Sequence, residues 1–248
     1  MPSTPDTTGD IAERFAAGGW AFTPEVVEVF DDHVRASVPH YDQIQDLVAE
    51  ACDWLVPDGG LIADLGASTG TTVKRILDRL PQRRVHAVLY DVETPMLEAA
   101  GKNLAGYGER IDYYHQSITD PLTHTDADLT LSLFTLQFLP VAGRLAALRH
   151  ARERARSTGA LVVAEKVRPV DSRWHEIAVD VSHDYKAAHG IDAEGIRAKA
   201  RALRGVLVPH PQRTLIDLIT EAGWHAPEVL FRWHCWTVVG AFAEDQRT

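Results

Sequence analysis

The chain has 248 residues, of which 45% are hydrophobic and 24% charged, a composition typical of globular proteins rather than fibrous or disordered ones. Its formal net charge of −10 disfavours general binding to nucleic acid, and its two cysteines are too few for a disulfide framework or a cysteine-rich zinc site. The start has no basic and apolar leader, and no apolar run reaches the roughly 18 residues that span a bilayer, so we expect a cytoplasmic enzyme or binding protein.

The N-terminal part of the chain is predicted to be helical after a short polar start. Residues 1–10 are rich in threonine and proline and are predicted to be disordered. Across residues 11–57, apolar side chains recur at helical spacing, with a break at Pro39. Together with a second helical segment at 171–210, this stretch predicts a helical lid on a single domain that covers residues 11–248.

From residue 61 onward, helices alternate with nearly continuous apolar strands. In chain order the strands read LIADLGAS, RVHAVLYDV, RIDYYHQSI, ADLTLSLFTLQFL and ALVVAEKV. This pattern is typical of a parallel sheet with helices on both faces. The C-terminal PEVLFRWHCWTVVGAFA alternates like two strands with a tight connection. We therefore predict an α/β fold, a doubly wound sheet with a reversed terminal strand.

The segment ADLGASTGTT carries the strongest chemical signal. A strand leads to Asp64, and a turn that begins at Gly66 leads into a helix, a place where ligands of such sheets bind. Ser68 replaces the second glycine of a dinucleotide fingerprint, which admits a pyrophosphate. The looser turn from Gly66 to Gly70 therefore favours an adenosyl ligand without a pyrophosphate, such as S-adenosylmethionine. Asp91 ends the second strand, where an acid can bond both ribose hydroxyls.

A family resemblance rests on the segments FDDHVRASVPHY, ADLGASTG, FTLQFLP, AEKV, and HDYKAAHG followed by KARAL. They resemble the class I S-adenosylmethionine methyltransferases, and most of all the branch that contains carboxy-S-adenosylmethionine synthase. The resemblance runs from about residue 28 to the C-terminus. It implies a seven-stranded Rossmann-like sheet and, commonly, a homodimer.

The resemblance also implies cofactor contacts. The turn at 66–68 would line the methionine moiety, and Ser117 stands where the family has an aspartate beside the adenine, a role that Asp120 could take over. Leu133 stands where the family has an asparagine. The cofactor-binding residues predicted from the turn and the resemblance together are Tyr41, Asp64, Gly66, Ala67, Ser68, Gly70, Asp91, Val92, Ser117, Ile118 and Leu133.

One departure from the family lies in the segment IRAKARALRGVL, residues 196–207, which predicts an amphipathic helix with a basic edge. The synthases carry Lys-Arg here, and the arginine grips the carboxylate added to the cofactor; an ungapped alignment places Lys199 and Ala200 at these positions. A methyl side chain cannot neutralise a buried carboxylate, and Arg201 lies about 100° further round the helix. The departure favours plain methyl transfer.

Methyl transfer requires positioning of the acceptor, and a base only where the acceptor carries a proton at pH 7. Gln137 could orient a substrate or cap the backbone, and His183 could be a base or a satisfied lid residue. The candidate catalytic residues are His183, Tyr185 and Gln137, and the candidate substrate-binding residues are Glu165, Lys166 and Arg201. The histidine–acid pairs lack metal-ligand spacing, so we expect no metal.

The interpretation that we favour is methyl transfer from S-adenosylmethionine to a small acceptor, such as an amino acid, a 2-oxo acid or a specialised metabolite. One alternative is carboxy-S-adenosylmethionine synthesis from prephenate. A second is an RNA methyltransferase or RNA-binding protein that uses the basic helix, which the net acidity opposes. A third is an NAD-dependent oxidoreductase. We expect a small-molecule substrate, no membrane or nucleic-acid partner, and a homodimer.

Overall fold

The computed structural model describes residues 24–244. The predicted disorder of residues 1–10, and the part of the predicted lid that precedes residue 24, lie outside the described residues. Within the described range, no helix combines the length and apolar character needed to cross a membrane.

Helices and strands alternate along most of the described chain. The helices are α1 (Pro24–Val27), α2 (Phe30–Ser37), α3 (Tyr41–Leu55), α4 (Thr71–Arg79), α5 (Thr94–Asn103), α6 (Val141–Arg154), α7 (Ser172–Ala188), α8 (Ala193–Ala202) and α9 (Gln212–Glu221). The strands are β1 (Leu61–Leu65), β2 (His86–Asp91), β3 (Ile111–His115), β4 (Ala127–Leu133), β5 (Ala155–Lys166), β6 (His225–Trp233) and β7 (Trp236–Phe242). Short 3₁₀ turns cover Ala105–Arg110 and Leu136–Phe138.

The strands form one seven-stranded sheet in the order β3-β2-β1-β4-β5-β7-β6. Strands β1 to β5 pair in parallel, whereas β7 is antiparallel to both β5 and β6. The predicted doubly wound sheet with a reversed terminal strand is confirmed. Because the strand order reverses between β1 and β4, their carboxyl ends flank the crevice in which such sheets bind ligands.

Side chains alternate between two apolar layers, one on each face of the sheet. In β2, Ala87 and Leu89 pack into the layer beneath α3 and α4, whereas Val88 and Tyr90 pack into the layer beneath α6 and α9. This alternation follows from the two-residue period of a strand. Burial on both faces explains why these strands read as continuous apolar runs in the sequence.

Helices α2, α7 and α8 form the lid over the carboxyl ends of the strands. The Tyr185 hydroxyl on α7 donates to the Arg35 carbonyl on α2 over 3.0 Å. Ala36 on α2 packs with Ile191 and Ile196 at the start of α8. The lid therefore joins segments from opposite ends of the described chain.

Two predicted elements end earlier than expected. The helix predicted over 196–207 ends at Ala202, so Arg204 lies in the turn that follows rather than on the basic edge. Gly205, with φ of +82°, continues this non-helical turn. Strand β4 ends at Leu133, because Phe134 adopts a left-handed φ of +61° that turns the chain towards the crevice.

Candidate functional site

A cavity of about 420 Å³ lies between the carboxyl ends of β1, β2 and β4 and the lid helices. Most of the predicted cofactor residues line it. The predicted site residues on its wall are Tyr41, Asp64, Gly66, Ala67, Ser68, Asp91, Val92, Ser117, Ile118, Leu133, Gln137 and Lys166. The parallel sheet brings these residues together because its loops all open at the same edge.

The turn after β1 is fixed by backbone contacts. The amides of Gly66 and Ala67 both donate to the Tyr90 carbonyl, over 2.8 and 3.0 Å. Gly66 has a φ of +87°, and a Cβ placed on it would lie 2.3 Å from the side chain of Thr135. Glycine is therefore required at position 66 both by its φ and by the close approach of Thr135.

Asp91 holds the same turn and faces the cavity. Its two carboxylate oxygens accept from the backbone amides of Ser68 and Glu93, over 2.9 and 3.0 Å. Burial raises the pKa of this carboxyl, although both backbone amides oppose the rise. Each oxygen keeps a lone pair for a further donor, so Asp91 can accept from two vicinal hydroxyls in the cavity.

Asp64 is a buried carboxyl at the end of β1, with 2% of its surface exposed. Burial, and secondarily the charge of Asp91, raise the pKa of Asp64 to about 7. A positively charged group in the cavity would stabilise its ionised form. Asp64, Asp91 and Glu93 all line this part of the wall, which we call the acidic end.

The predicted adenine-side residues also reach the cavity. Ile118 is buried, whereas Val92 keeps 55% of its surface exposed. The Ser117 hydroxyl lies 2.7 Å from that of Thr119 and accepts from the Thr119 amide. The serine side chain therefore stabilises a local turn at the position where the resemblance implies an aspartate.

Three aromatic side chains form part of the wall. Tyr41 and Phe134 have ring centroids 6.0 Å apart, and Trp236 meets Phe134 edge-on at 5.6 Å. Tyr41 and Trp236 are buried, and burial raises the pKa of the Tyr41 phenol. These rings exclude water from the neighbouring part of the cavity.

Three lysines line the cavity, and we call the part of the wall that they form the lysine end. Lys166 ends β5, Lys186 lies on α7 and Lys199 lies on α8. The Lys166 Nζ atom lies 5.7 Å from the centroid of the Trp236 ring. Of the three, only Lys166 was predicted as a site residue. Lys199 was aligned with the lysine of the family's Lys-Arg pair but was not assigned to the site, and no sequence signal indicated Lys186.

Lys199 contacts two polar side chains of α2. Its Nζ atom lies 2.6 Å from Nε2 of His33 and donates to Oγ of Ser37 over 2.9 Å. Burial, with the charges of Lys199 and Lys186, lowers the pKa of His33 to about 3, so the ring is neutral at pH 7. Burial, with the charges of Lys186 and Lys166, lowers the pKa of Lys199 well below its usual range.

Five predicted site residues do not line the cavity. Gly70 caps the start of α4 with a left-handed φ of +74°, and Arg201 points into solvent. The Tyr185 hydroxyl is occupied by the Arg35 carbonyl, and its ring stacks on His189. The other two are Glu165 and His183. The structure therefore does not bring these residues to the place where they were expected.

Neither Glu165 nor His183 is part of the cavity wall. Glu165 faces away from the cavity because it alternates with Lys166 along β5, and burial raises its pKa to about 8 despite the nearby Arg144. His183 lies on α7 one turn before Lys186. Burial, and the charges of Lys186 and Lys166, lower the pKa of His183.

Gln137 reaches the wall, but its amide group is occupied by the backbone. Its Nε2 donates to the Phe134 carbonyl and its Oε1 accepts from the Lys166 amide, both over 3.0 Å. Of the two roles considered for Gln137, the structure favours the backbone cap. The side chain joins the end of β4 to the end of β5 and so places Lys166.

The expectation based on Ala200 changes. Ala200 is exposed on α8 and is not part of the cavity wall, whereas Lys199 is. A lysine therefore faces the cavity from this helix even though position 200 holds no arginine. The absence of an arginine there no longer excludes a bound carboxylate.

Among residues 24–244, no group of three or more histidine, cysteine, aspartate or glutamate side chains is arranged to hold a metal ion. The charged groups at the cavity are instead carboxylates at one end and lysines at the other. The site can therefore hold organic ligands of opposite charge side by side.

Comparisons with known proteins agree with this geometry. Residues 62–159 match the family model described as a methyltransferase domain. The carboxy-S-adenosyl-L-methionine synthase of Wolinella succinogenes is 30% identical over 213 residues, which are 86% of this chain and 88% of that protein. The synthase of the same name from Desulfotalea psychrophila is 29% identical over 219 residues, 88% of this chain and 89% of that protein.

Solved structures share the fold. An O-methyltransferase family protein from Burkholderia thailandensis superposes with a TM-score of 0.65 at 18% identity, over 94% of this chain and 63% of that one. Human N-acetylserotonin methyltransferase in complex with S-adenosylmethionine superposes with a TM-score of 0.62 at 15% identity, over 90% of this chain and 56% of that one. This chain therefore spans less than two thirds of either structure.

Proposed function

The chain belongs to the class I S-adenosylmethionine-dependent methyltransferases, in the branch that contains the carboxy-S-adenosyl-L-methionine synthases, and we propose that it methylates a small molecule held in the lid-covered cavity. It is thus an enzyme, and its cofactor is S-adenosylmethionine. The observation that carries the proposal is the cavity itself, with carboxylates at one end and lysines at the other, beneath helices that cover the strand ends.

The acidic end fits the cofactor. S-adenosylmethionine supplies a methyl group on a positively charged sulfur, and it carries an ammonium group and two ribose hydroxyls. Asp91 would accept from the ribose hydroxyls, since each of its oxygens bonds one backbone amide and keeps a lone pair. Asp64, whose burial raises its pKa to about 7, would be stabilised in its ionised form by the positive charge of the methionine moiety.

The remaining wall residues position the acceptor and exclude water. The rings of Tyr41, Phe134 and Trp236 provide an apolar surface next to the lysines. Gln137 fixes the end of β5 by accepting from the Lys166 amide. Orientation of two reactants in a dry cavity accounts for much of the rate enhancement in a displacement at a methyl carbon. His183 and Tyr185 are not part of the cavity wall and are assigned no step.

Calorimetry and mass spectrometry test the proposal. We expect the full chain to bind S-adenosylmethionine and its demethylated product. Incubation with S-adenosylmethionine and a panel of amino acids and 2-oxo acids should then yield the demethylated cofactor together with an acceptor heavier by one methyl group. Failure of the chain to bind either form of the cofactor would falsify the proposal.

A second candidate is synthesis of carboxy-S-adenosylmethionine, the activity in the names of the similar synthases. A lysine on α8 that faces the cavity could hold a carboxylate on the cofactor. Incubation with S-adenosylmethionine and prephenate distinguishes the two functions. A cofactor heavier by a carboxylate supports this candidate, and an unchanged cofactor mass excludes it.

A further inference from the structure

The distribution of lysines in this chain is uneven. The sequence has five lysines, Lys74, Lys102, Lys166, Lys186 and Lys199, against twenty arginines. The last three line the cavity, and they come from β5, α7 and α8. Three elements that are separate in the chain therefore each contribute a lysine to the cavity wall, although lysine is much rarer than arginine in this sequence.

The three lysine side chains, which are half-buried, therefore place like charges near one another at the cavity wall. Burial, and the charge of Lys166, lower the pKa of Lys186 to about 8. Burial, and the charges of Lys186 and Lys166, lower the pKa of Lys199. Repulsion of this kind destabilises the folded chain unless an anion lies between the cations.

Three other titratable groups near the lysines carry no negative charge at pH 7. His33 of α2 is held neutral by burial and by two of the lysines. His183 of α7 has a lowered pKa, and burial raises the pKa of the Cys235 thiol just before β7. Within residues 24–244, no carboxylate forms a salt bridge with Lys166 or Lys186.

We propose that Lys166, Lys186 and Lys199 form a subsite for the carboxylate of the methyl acceptor, so that the substrates are small carboxylic acids with an apolar or aromatic body. This inference rests on the proposed function and specifies its substrate class. The body of the acid would lie against Phe134 and Trp236, whose rings adjoin the lysine end.

Lysine and arginine bind a carboxylate in different ways. Three ammonium groups on flexible stems can approach one carboxylate from different sides, whereas a guanidinium presents a planar fork. The amine is also the group whose pKa responds to a bound anion, so occupancy of the subsite can be measured directly. Lys74 and Lys102, which do not line the cavity, supply internal controls in the same protein.

NMR of the full chain labelled with ¹³C at the lysine ε-carbons tests the subsite. With the demethylated cofactor bound, the signals of Lys186 and Lys199 should titrate below the ordinary pH range of a lysine amine, because burial lowers the pKa of both. Phenylpyruvate should raise the pKa values of Lys186 and Lys199, and its methyl ester should not. The two surface lysines should not respond to either compound.

Substitutions test the same subsite by affinity. Lys186→Met and Lys166→Met should each weaken phenylpyruvate binding about tenfold or more, because each removes one charged partner of the carboxylate. Affinity for the demethylated cofactor should be unchanged, and the matched control Lys102→Met should bind both ligands normally. Lys186→Arg, which keeps the charge, should retain part of the affinity for the acid.

The panel extends to acetate, pyruvate, prephenate and phenyl phosphate, the last of which separates a carboxylate site from a phosphate site. Binding of phenyl phosphate in preference to every carboxylate overturns the assignment of carboxylic acids. If none of the acids binds more tightly than its methyl ester while the cofactor binds, the inference is overturned and the proposed function stands. If the cofactor itself does not bind, the proposed function fails. The subsite is then tested without cofactor, by asking whether the chain binds the acids more tightly than their methyl esters.

Discussion

The two ends of the cavity are built in different ways. The acidic end sits on the sheet: Asp64 and Asp91 end adjacent parallel strands, and backbone hydrogen bonds fix the turn between them. The lysine end is assembled from the tip of β5 and two lid helices, and Lys199 is held by side chains of α2. The comparison shows that one end depends on strand order and the other on how the lid packs.

The two ends share one electrostatic property. At the acidic end, burial raises the pKa of Asp64, and at the lysine end it lowers the pKa of Lys186. Each end therefore destabilises the ligand-free protein, and a ligand of opposite charge relieves this destabilisation.

The largest effect is expected for Gly66→Ala at the turn after β1. The substitution forces alanine into a φ of +87° and places its Cβ 2.3 Å from Thr135, which should cost about 3–4 kcal/mol of unfolding free energy. Gly59→Ala, at a φ of +74° with nothing within 4 Å, is the matched control and should cost only about 1 kcal/mol. Urea denaturation measures both, and equal costs would contradict the role of Thr135.

A somewhat smaller effect is expected for Asp91→Ala on cofactor binding. The change removes the acceptor for the ribose hydroxyls and frees the amides of Ser68 and Glu93, so affinity for the demethylated cofactor should fall by about 2–3 kcal/mol. Calorimetry at pH 7 measures this loss. The control is Asp112→Ala on β3, whose exposed carboxylate pairs with His86 outside the cavity, and it should bind normally.

Asp64→Asn should stabilise the ligand-free protein while it weakens cofactor binding. The pKa of Asp64 is raised to about 7 in the folded state from 3.8, so folding binds an extra proton between these values and stability falls as the pH rises from about 4 to 7. The asparagine should therefore gain about 1–3 kcal/mol at pH 8 and nothing below about pH 4. Thermal unfolding at both pH values is the measurement, and a gain of the same size at both contradicts the assignment.

The smallest effect is expected for Ser117→Asp beside the adenine. The resemblance implies an acid here that bonds the adenine amine, and restoring it should strengthen cofactor binding by about 0.5–1 kcal/mol. The gain stays small because the serine hydroxyl is also the acceptor for the Thr119 amide. Calorimetry with the demethylated cofactor measures the difference. Weaker binding would mean that this position does not face the adenine amine.

The sequence predicted the sheet and the acidic end because both depend on local patterns. Apolar runs between helices identified the parallel strands, and glycine and serine in the turn after β1 identified the ligand edge. Asp64 and Asp91 could be placed because each ends a strand. The homodimer that the resemblance implies stays a prediction, which light scattering of the full chain would test.

The lysine end could not be predicted in the same way. Lys186 and Lys199 lie on amphipathic helices where a charged residue ordinarily faces solvent, and only the packing of α7 and α8 on α2 turns them inward. The basic edge drew the interpretation towards Arg201, which is exposed and lies two positions after the lysine on the wall, Lys199. Which side chains of these two helices point into the cavity can be determined only from the tertiary contacts.

The hydrogen bond between Tyr185 and Arg35 spans 150 positions of the chain, and this span sets an order of events during synthesis. On the ribosome, β1 to β4 and the acidic end emerge while α7 and α8 are still to be made. The lid closes only after residue 199 has left the exit tunnel, because Lys199 completes the contact with α2. A nascent chain of this protein therefore exposes the acidic residues at the ends of β1 and β2 before the lid helices α7 and α8 that cover them have been made.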